Sequence, residues 1–234
     1  MKAVVLAGGL GTRLRDAVPD LPKPMAPVAG RPFLAYVLDA LVRGGFADIT
    51  LSVGYRWEAI HEYFGKRYRE ASLTYAVESE PLGTGGAVAH AFAETGMAPR
   101  DVALVLNGDT FLDIDFAALR TWHERAPDTP GMVLRSVADT ARYGSVDVSD
   151  GIVTGFAEKG GSGTGLINAG VYLLPADIFT RVGLAGRFSL EADLLQRHCA
   201  ALRVRAWPTD AYFIDIGVPE DYARAQTELK SAEQ

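Results

Sequence analysis

The sequence lacks several features that mark common classes of protein. Among its 234 residues there is one cysteine, Cys199, so an internal disulfide and a cysteine-built zinc site are excluded. No apolar run approaches the roughly 20 residues that span a bilayer, and the apolar start at residues 1–7 is too short for a secretory signal. We therefore expect a cytoplasmic protein that does not contact a membrane, with Cys199 as a small buried residue.

An excess of basic residues is also missing. The 23 Lys and Arg residues are outnumbered by 29 Asp and Glu residues, giving a formal net charge of -6. Proteins that grip nucleic acid present a general basic face, so this charge argues against a nucleic acid partner. Any phosphate that the chain binds must be neutralised locally.

Internal repeats and low-complexity linkers are absent as well. The content of 48% apolar and 22% charged residues is ordinary for a globular protein. We predict one domain over residues 1–230, followed by a frayed tail at 231–234. The sequence leaves the oligomeric state open, a homo-oligomer included.

Short β-branched runs alternate with segments of helical period in the first half of the chain, which is typical of a parallel sheet with crossover helices. The predicted strands here are 2–7, 48–53, 73–77 and 101–106, and the predicted helices are 32–43, 57–64, 86–93 and 115–125. After Pro130, strands follow one another at 131–136, 145–148, 152–157 and 167–174. Helices at 176–182, 190–200 and 219–229 surround two last strands at 204–207 and 212–215. The pattern predicts an α/β fold with a mixed sheet.

A glycine-rich turn, GGLGTRL at residues 8–14, follows the first strand. Glycine lets backbone N–H groups approach phosphate oxygens, and Thr12 and Arg13 add a hydroxyl and a bidentate cation. A dinucleotide fingerprint would need a glycine where Leu14 stands, and the chain has no Gly-Lys-Ser/Thr triplet of a P-loop. The turn is interpreted as a phosphate cradle of another kind, with an ordinary glycine-rich connection as the alternative.

One lysine lies on a segment whose backbone is conformationally restricted. Lys23 lies between Pro22 and Pro24, which fix the backbone and hold the cation at low entropic cost. The alternative interpretation is a solvated surface lysine.

Two aspartates follow apolar strands near the same predicted sheet edge. Asp109 ends the stretch LVLNGD at 104–109, and Asp215 ends YFID at 212–215. Magnesium favours one or two carboxylates together with substrate phosphates, so the pair predicts a metal site, although each aspartate alone could serve a turn. Asp113 and Asp115 are interpreted as surface or helix-capping residues.

Together, the turn at 8–14 and PKPM at 22–25 resemble the signature of the sugar-1-phosphate nucleotidyltransferases. The resemblance extends over residues 1–222. It implies a single Rossmann-like three-layer domain with a mixed, mostly parallel central sheet, of the nucleotide-diphospho-sugar transferase type. It also implies Mg²⁺ as cofactor and GTP and a sugar 1-phosphate as small-molecule substrates.

Within this family the chain is similar to the short guanylyltransferases that act on D-glycero-α-D-manno-heptose 1-phosphate, through motifs at 22–27, 80–86, 166–170 and 212–222. That similarity implies GDP-heptose synthesis for capsule, surface-layer or lipopolysaccharide assembly. The alternatives are a mannose-1-phosphate guanylyltransferase, or a uridylyl- or thymidylyltransferase acting on another sugar. A noncatalytic sugar-nucleotide sensor and a nicotinamide oxidoreductase are disfavoured by the intact charged residues and the missing glycine.

The family resemblance also implies roles for individual residues. It gives catalytic roles to Arg13, Lys23 and Asp109, and metal binding to Asp109 and Asp215. The nucleotide is expected against Leu6, Ala7, Gly8, Gly9, Gly11, Thr12, Glu78, Pro81, Gly83, Thr84 and Gly108. The sugar phosphate is expected against Gly144, Glu158, Lys159, Asn168, Gly170 and Glu191.

Some of these assignments have simpler competitors. Glu78 takes the position that reads the base edge, and a carboxylate suits the two adjacent N–H donors of guanine, but Glu80 competes for this role. Glu158 and Lys159 fit a solvated strand end equally well, and Asn168 fits a satisfied buried amide. The pattern around Glu191 is also explained by a helix start capped by Ser189.

Overall fold

A computed structural model describes residues 1–9, 21–157 and 161–231. Its strands are β1 (Lys2–Leu6), β2 (Pro27–Val28), β3 (Arg31–Pro32), β4 (Asp48–Val53), β5 (Arg67–Tyr68), β6 (Ala71–Val77), β7 (Val102–Asn107), β8 (Thr110–Leu112), β9 (Gly131–Val137), β10 (Val146–Ser149), β11 (Ile152–Phe156), β12 (Gly165–Pro175), β13 (Arg205–Thr209) and β14 (Phe213–Asp215). Its helices are α1 (Phe33–Arg43), α2 (Trp57–Phe64), α3 (Gly83–Glu94), α4 (Phe116–Glu124), α5 (Ile178–Arg181), α6 (Gln196–Leu202) and α7 (Pro219–Ser231). A 3-10 turn spans Lys23–Met25, and a π-helix spans Leu190–Leu195.

The central sheet has ten strands in the order β10-β11-β13-β9-β12-β7-β1-β4-β6-β5. Strands β7, β1, β4 and β6 are neighbours and run parallel. Strand β12 runs antiparallel between β7 and β9, and β13 runs parallel to β9. Leu6, at the end of β1, is level with Ser52 on β4 and Asn107 on β7. The segments that follow these three strands therefore leave the sheet at one edge, where open α/β folds bind ligands.

Both faces of the sheet are buried, as the continuous apolar sequence of β1 requires. Ala3 and Val5 face a core that includes α1, α4 and α7, while Val4 faces a second core with α3, the π-helix and α6. The expected three-layer α/β domain with a mixed sheet and parallel core strands is confirmed. Cys199 is buried in the second core, as predicted.

Most predicted elements form, and the differences have local causes. Helix α3 begins at Gly83, three residues before its predicted start, because packing against the Phe188 backbone overrides the low helix propensity of glycine. The helix predicted at 176–182 shortens to Ile178–Arg181, and the one predicted at 190–200 starts as a π-helix. Four short strands are not revealed by the sequence pattern, namely β2, β3, β5 and β8.

Two other predictions, on the C-terminal tail and on membrane spans, are tested only within the described residues. The tail expected at 231–234 lies outside the described residues except for Ser231, the last residue of α7. Among the described residues, no helix is both long and apolar enough to cross a bilayer.

Candidate active site

A cleft of about 590 Å³ opens at the carboxyl edge of the parallel strands. Nine residues predicted for the site line it: Leu6, Gly8, Gly9, Lys23, Glu78, Pro81, Gly83, Thr84 and Asp109. Ala7 and Gly108 lie beside the cleft, where the Ala7 N–H donates to Ser52 (2.8 Å) and the Gly108 N–H donates to Leu6 (2.8 Å). The predicted residues Gly11, Thr12, Arg13, Glu158 and Lys159 lie outside the described residues.

Two glycines let the loops at this edge approach each other closely. A Cβ on Gly8 would lie 2.9 Å from Oε1 of Glu78 and 3.1 Å from the amide nitrogen of Gly54. A Cβ on Gly108 would lie 2.6 Å from the Leu6 carbonyl oxygen. At Gly108 the distance to the backbone is too short for any larger residue, and at Gly8 a side chain would crowd the Gly54 backbone, so the two glycines keep the ends of β1, β4 and β7 close together.

Lys23 projects between two carboxylates. Its ammonium forms an ion pair with Asp109, and its Nζ lies 3.8 Å from Oδ1 of Asp215. Pro24 sits inside the 3-10 turn that carries Lys23, and the turn is closed by a bond from the Ala26 N–H to the Lys23 carbonyl. The lysine is therefore held in place by backbone geometry, as the flanking prolines predict.

A small pair of strands brings the two aspartates together. Asp109 lies between β7 and β8, and Asp215 ends β14, which pairs antiparallel with β8 so that Asp215 lies opposite Thr110. The Ile216 N–H also donates to the Asp109 carbonyl at 3.0 Å. This pairing joins positions that are far apart in the sequence and places both side chains beside Lys23.

The electrostatics of this cluster favour a cation. Burial, and then the negative charge of Asp109, raise the pKa of Asp215, while Lys23 and the Gly217 N–H act in the opposite direction. The Gly217 N–H donates to Oδ1 of Asp215 at 2.7 Å. A Cβ on Gly217 would lie 3.0 Å from Nζ of Lys23, so glycine keeps the space for the ammonium.

The donor set also fits a magnesium ion. Two carboxylates with hard oxygens face one point, and within residues 1–9, 21–157 and 161–231 no further His, Cys, Asp or Glu side chain joins them. Magnesium commonly binds one or two carboxylates and completes its shell with water and substrate phosphates. Asp109 and Asp215 meet that requirement.

The two candidate base readers differ in how firmly they are held. Glu78 is half-buried, and its Oε2 accepts a hydrogen bond from the Leu82 N–H at 3.0 Å. Glu80 lines the same cleft but is exposed. A fixed carboxylate is better suited to distinguishing bases, which favours Glu78.

The glycine-rich first turn of α3 is clamped by the segment that leads into the π-helix. The Gly85 N–H donates to the Phe188 carbonyl (3.0 Å), and the Thr84 hydroxyl accepts from the Leu190 N–H (2.8 Å). Gly83 has φ +73, and a Cβ there would lie 2.5 Å from the Phe188 carbonyl oxygen. The turn therefore needs glycine both for its backbone conformation and for this contact.

These geometric findings agree with comparisons to known proteins. The model of the nucleotidyl transferase family matches residues 2–232. The chain belongs to that family. It is 41% identical over 230 residues to a D-glycero-α-D-manno-heptose 1-phosphate guanylyltransferase of Aneurinibacillus thermoaerophilus, with 98% of this chain and 99% of the relative covered. It is 44% identical over 223 residues to the Campylobacter jejuni protein of the same description, with 95% and 97% covered.

A solved structure shares the architecture of this chain over nearly its full length. The crystal structure of HddC from Yersinia pseudotuberculosis, complexed with GMP-PN, superposes with a TM-score of 0.83 at 36% identity and covers 97% of this chain and 99% of that one. A mannose-1-phosphate guanylyltransferase of Mycobacterium tuberculosis is 32% identical, but the match covers only 64% of its length. The resemblance seen in the sequence motifs is thus confirmed, while the individual site residues stay predictions.

The predicted sugar side of this nucleotidyl transferase lies on strand β12. Asn168 accepts a hydrogen bond from the Gly170 N–H (2.9 Å) and donates to the Tyr172 hydroxyl (2.7 Å). Gly170 has φ +70 and lies against Asn107, a cleft residue whose Nδ2 would be 2.7 Å from a Cβ on Gly170. Strand β12 therefore meets the nucleotide cleft at Gly170.

The two remaining sugar-side residues have partners within the protein. Gly144 is buried with φ +76, and its N–H donates to the Thr140 carbonyl at 3.1 Å. Glu191 accepts from the Thr84 hydroxyl (2.8 Å). A contact between either residue and a sugar remains a prediction.

Several residues that line the cleft were not predicted from the sequence, chiefly Gly54, Tyr55 and Asn107. Tyr55 is 37% exposed and follows β4, and Asn107 is the last residue of β7. Both could have been found from strand position alone, because they end central parallel strands at the ligand-binding edge.

Proposed function

We propose that this enzyme transfers GMP from GTP to D-glycero-α-D-manno-heptose 1-phosphate, giving GDP-heptose and pyrophosphate. An oxygen of the sugar phosphate attacks the α-phosphorus in line, the bond from the α-phosphorus to the bridging oxygen breaks, and pyrophosphate leaves with that oxygen. The observation that carries the proposal is the cleft lined by Lys23 and Asp109, with Asp215 beside it at 3.8 Å from the Lys23 ammonium. The two heptose 1-phosphate guanylyltransferases that match over nearly their full length support the choice of substrates.

The chemistry requires positioning and charge neutralisation more than a base, because the attacking phosphate is already anionic. Lys23 would neutralise the triphosphate from the cleft floor, together with Arg13. Backbone N–H groups of the turn at Gly8 and Gly9 would bind phosphate oxygens, and Lys159 and Asn168 would orient the acceptor.

Magnesium is part of the proposal. Asp109 and Asp215 would hold it, and when bound it would supply positive charge to the phosphates. Lys23 lies between the two carboxylates. Its proposed role is therefore to supply positive charge at the point where the aspartates and the triphosphate meet.

Guanine is the base that the cleft suits best. Glu78 presents a fixed carboxylate that can accept from N1–H and N2–H₂ together, whereas uracil and thymine offer one donor beside an acceptor. A GTP substrate also supports a cytoplasmic site of reaction, and the activated heptose would serve capsule or lipopolysaccharide assembly.

The proposal is tested by measuring pyrophosphate release for a matrix of substrates. GTP, UTP, dTTP and ATP are each combined with D-glycero-α-D-manno-heptose 1-phosphate, mannose 1-phosphate and glucose 1-phosphate. We expect the highest kcat/KM for GTP with the heptose phosphate. A higher value for mannose 1-phosphate would establish the alternative guanylyltransferase, and a higher value for UTP or dTTP would refute the assignment of Glu78.

Tyr55 is expected to contribute stacking to nucleotide binding. It is an exposed aromatic ring in the cleft that also contains Glu78, and Arg56 after it has φ +51, a left-handed backbone that helps to turn the chain at this edge. Stacking of a base on an aromatic ring contributes about 1–3 kcal/mol. Tyr55→Ala should therefore raise KM for GTP roughly 10-fold, while Tyr55→Phe should retain the wild-type value.

The matched control is Tyr63→Ala, which removes a more exposed tyrosine (55%) from helix α2. Its KM for GTP should equal that of the wild type in the same steady-state assay. If Tyr55→Ala and Tyr63→Ala give the same KM, Tyr55 does not contact the base.

A further inference from the structure

A chain of hydrogen bonds connects the predicted sugar strand to the nucleotide turn. Asn168 donates to the Tyr172 hydroxyl (2.7 Å), and Tyr172 donates to Oε1 of Glu191 (3.4 Å). Oε2 of Glu191 accepts from the Thr84 hydroxyl at 2.8 Å. We call these four residues, Asn168, Tyr172, Glu191 and Thr84, the relay. One end lies beside Gly170 on β12, and the other end lines the nucleotide cleft.

The donor and acceptor roles within the relay are fixed by chemistry. Asn168 uses its oxygen to accept from the Gly170 N–H, so its NH₂ group must face Tyr172. Tyr172 has one proton, and since it accepts from Asn168, that proton is directed to the carboxylate of Glu191, which can only accept. The direction of each of these hydrogen bonds is thus fixed, so a shift of one side chain changes the bond of the next.

Tyr172 is the buried centre of the relay. Its side chain is fully buried, at 0% exposure. Burial, and then the charge of Glu191, raise the pKa of its phenol well above the usual range. The phenol therefore keeps its proton, and its hydroxyl is a permanent donor. A polar group buried this deeply is costly unless it is bonded.

The bond between Tyr172 and Glu191 is the loosest in the relay. Hydrogen bonds between oxygens are normally about 2.7–2.8 Å long, and this one measures 3.4 Å. Glu191 lies in the first turn of the π-helix Leu190–Leu195, a rare element that is often found at functional sites. A bond of this length can shorten by several tenths of an ångström before it reaches the usual range.

We propose that Tyr172 is a positioning residue that couples the sugar-phosphate half of the site to the nucleotide half through its hydroxyl. The inference rests on the proposed function, which puts the sugar phosphate against Asn168 and Gly170. Binding there fixes the Asn168 amide and shortens the bond from Tyr172 to Glu191. Glu191 then holds Thr84 and the nucleotide turn more firmly, and by linkage each substrate raises the affinity for the other.

The experiment is isothermal titration calorimetry with a guanine nucleotide that cannot react. The probe is α,β-methylene GTP, which is titrated into the protein in a buffer that contains Mg²⁺. The titration is done once without and once with saturating D-glycero-α-D-manno-heptose 1-phosphate. In the wild type we expect the sugar phosphate to lower the Kd of the probe by about 5-fold or more, the lower end of ordinary coupling between sites. In Tyr172→Phe the two Kd values should agree within about 2-fold, with the Kd of the probe alone close to that of the wild type.

Tyr212→Phe is the matched control. The Tyr212 hydroxyl also donates to a glutamate, Glu228 on α7, at 2.8 Å, but it belongs to neither the relay nor the cleft. This variant should keep the wild-type ratio of Kd values. If Tyr172→Phe does not fold, Glu191→Gln at a half-exposed position replaces it, and the same loss of coupling is expected.

Two results would overturn the relay without touching the proposed function. One is a wild-type enzyme that turns over GTP and the heptose phosphate but shows no coupling between them. The other is an unchanged ratio in Tyr172→Phe or in Glu191→Gln. A wild-type enzyme that fails to turn over these substrates at all would instead refute the proposed function.

Discussion

Asp109→Asn is expected to lower kcat about 1,000-fold while leaving the fold intact. The substitution keeps the size of the side chain but removes the charge that pairs with Lys23 and faces the same point as Asp215. Among the described residues, the Asp109 side chain bonds to Lys23 and makes a 3.4 Å contact with Thr110. The backbone bond from Ile216 does not depend on the side chain, so the melting temperature should change little.

The same assay tests the metal. Treatment of the wild type with EDTA should abolish pyrophosphate release, and added Mg²⁺ should restore it. Asp113→Asn is the control, because Asp113 is an exposed aspartate directly after β8 whose carboxylate faces Arg43 at 3.8 Å and does not line the cleft. The metal assignment is refuted if Asp109→Asn turns over at the rate of Asp113→Asn, or if chelation leaves the wild-type rate unchanged.

Lys23→Met is expected to lower kcat/KM for GTP about 100-fold. Methionine keeps an unbranched stem of similar length but leaves Asp109 and Asp215 to repel each other and the triphosphate. Lys23→Arg should rescue little of this loss. A guanidinium is planar and larger than an ammonium, and even a Cβ added to Gly217 would lie only 3.0 Å from Nζ, so the space on that side is narrow.

Lys66→Met is the control for the loss of one positive charge, since Lys66 is exposed and outside the cleft. Its kcat/KM for GTP should match the wild type in initial-rate measurements. Full activity of Lys23→Arg would show that any cation at this position suffices, and full activity of Lys23→Met would exclude Lys23 from the reaction.

The position of the site could be predicted from the sequence because it depends on where strands end. Gly8 and Asp109 follow apolar runs, and carboxyl ends of parallel strands share an edge. The prolines around Lys23 predicted a restricted backbone at this position, and the structure has a 3-10 turn there. The meeting of Asp109 with Asp215 was expected from motif resemblance, and the pairing of β8 with β14 provides its physical cause.

Contacts that depend on tertiary packing could not be predicted in this way. The early start of α3 requires the carbonyl of Phe188, which accepts from Gly85 and lies far from it in the sequence. The bond between Thr84 and Glu191 likewise needs the π-helix, whose extra residue per turn has no signature in hydrophobic periodicity. Tyr55 is a different case, because it has no motif of its own but its position after β4 was available from the sequence.

The long strand β12 limits how this enzyme could be re-engineered. Its first part pairs with β9 alone and its last part with both β7 and β9, with an irregular register along β9 between Asn168 and Tyr172. The predicted acceptor-side residues Asn168 and Gly170 therefore stand on the same continuous backbone that pairs with β7, the strand that leads to Asp109. A chimera that takes its sugar specificity from a relative would have to preserve the close contact between Gly170 and Asn107. Single loops, rather than whole halves of the domain, are therefore the parts of this fold that can be exchanged.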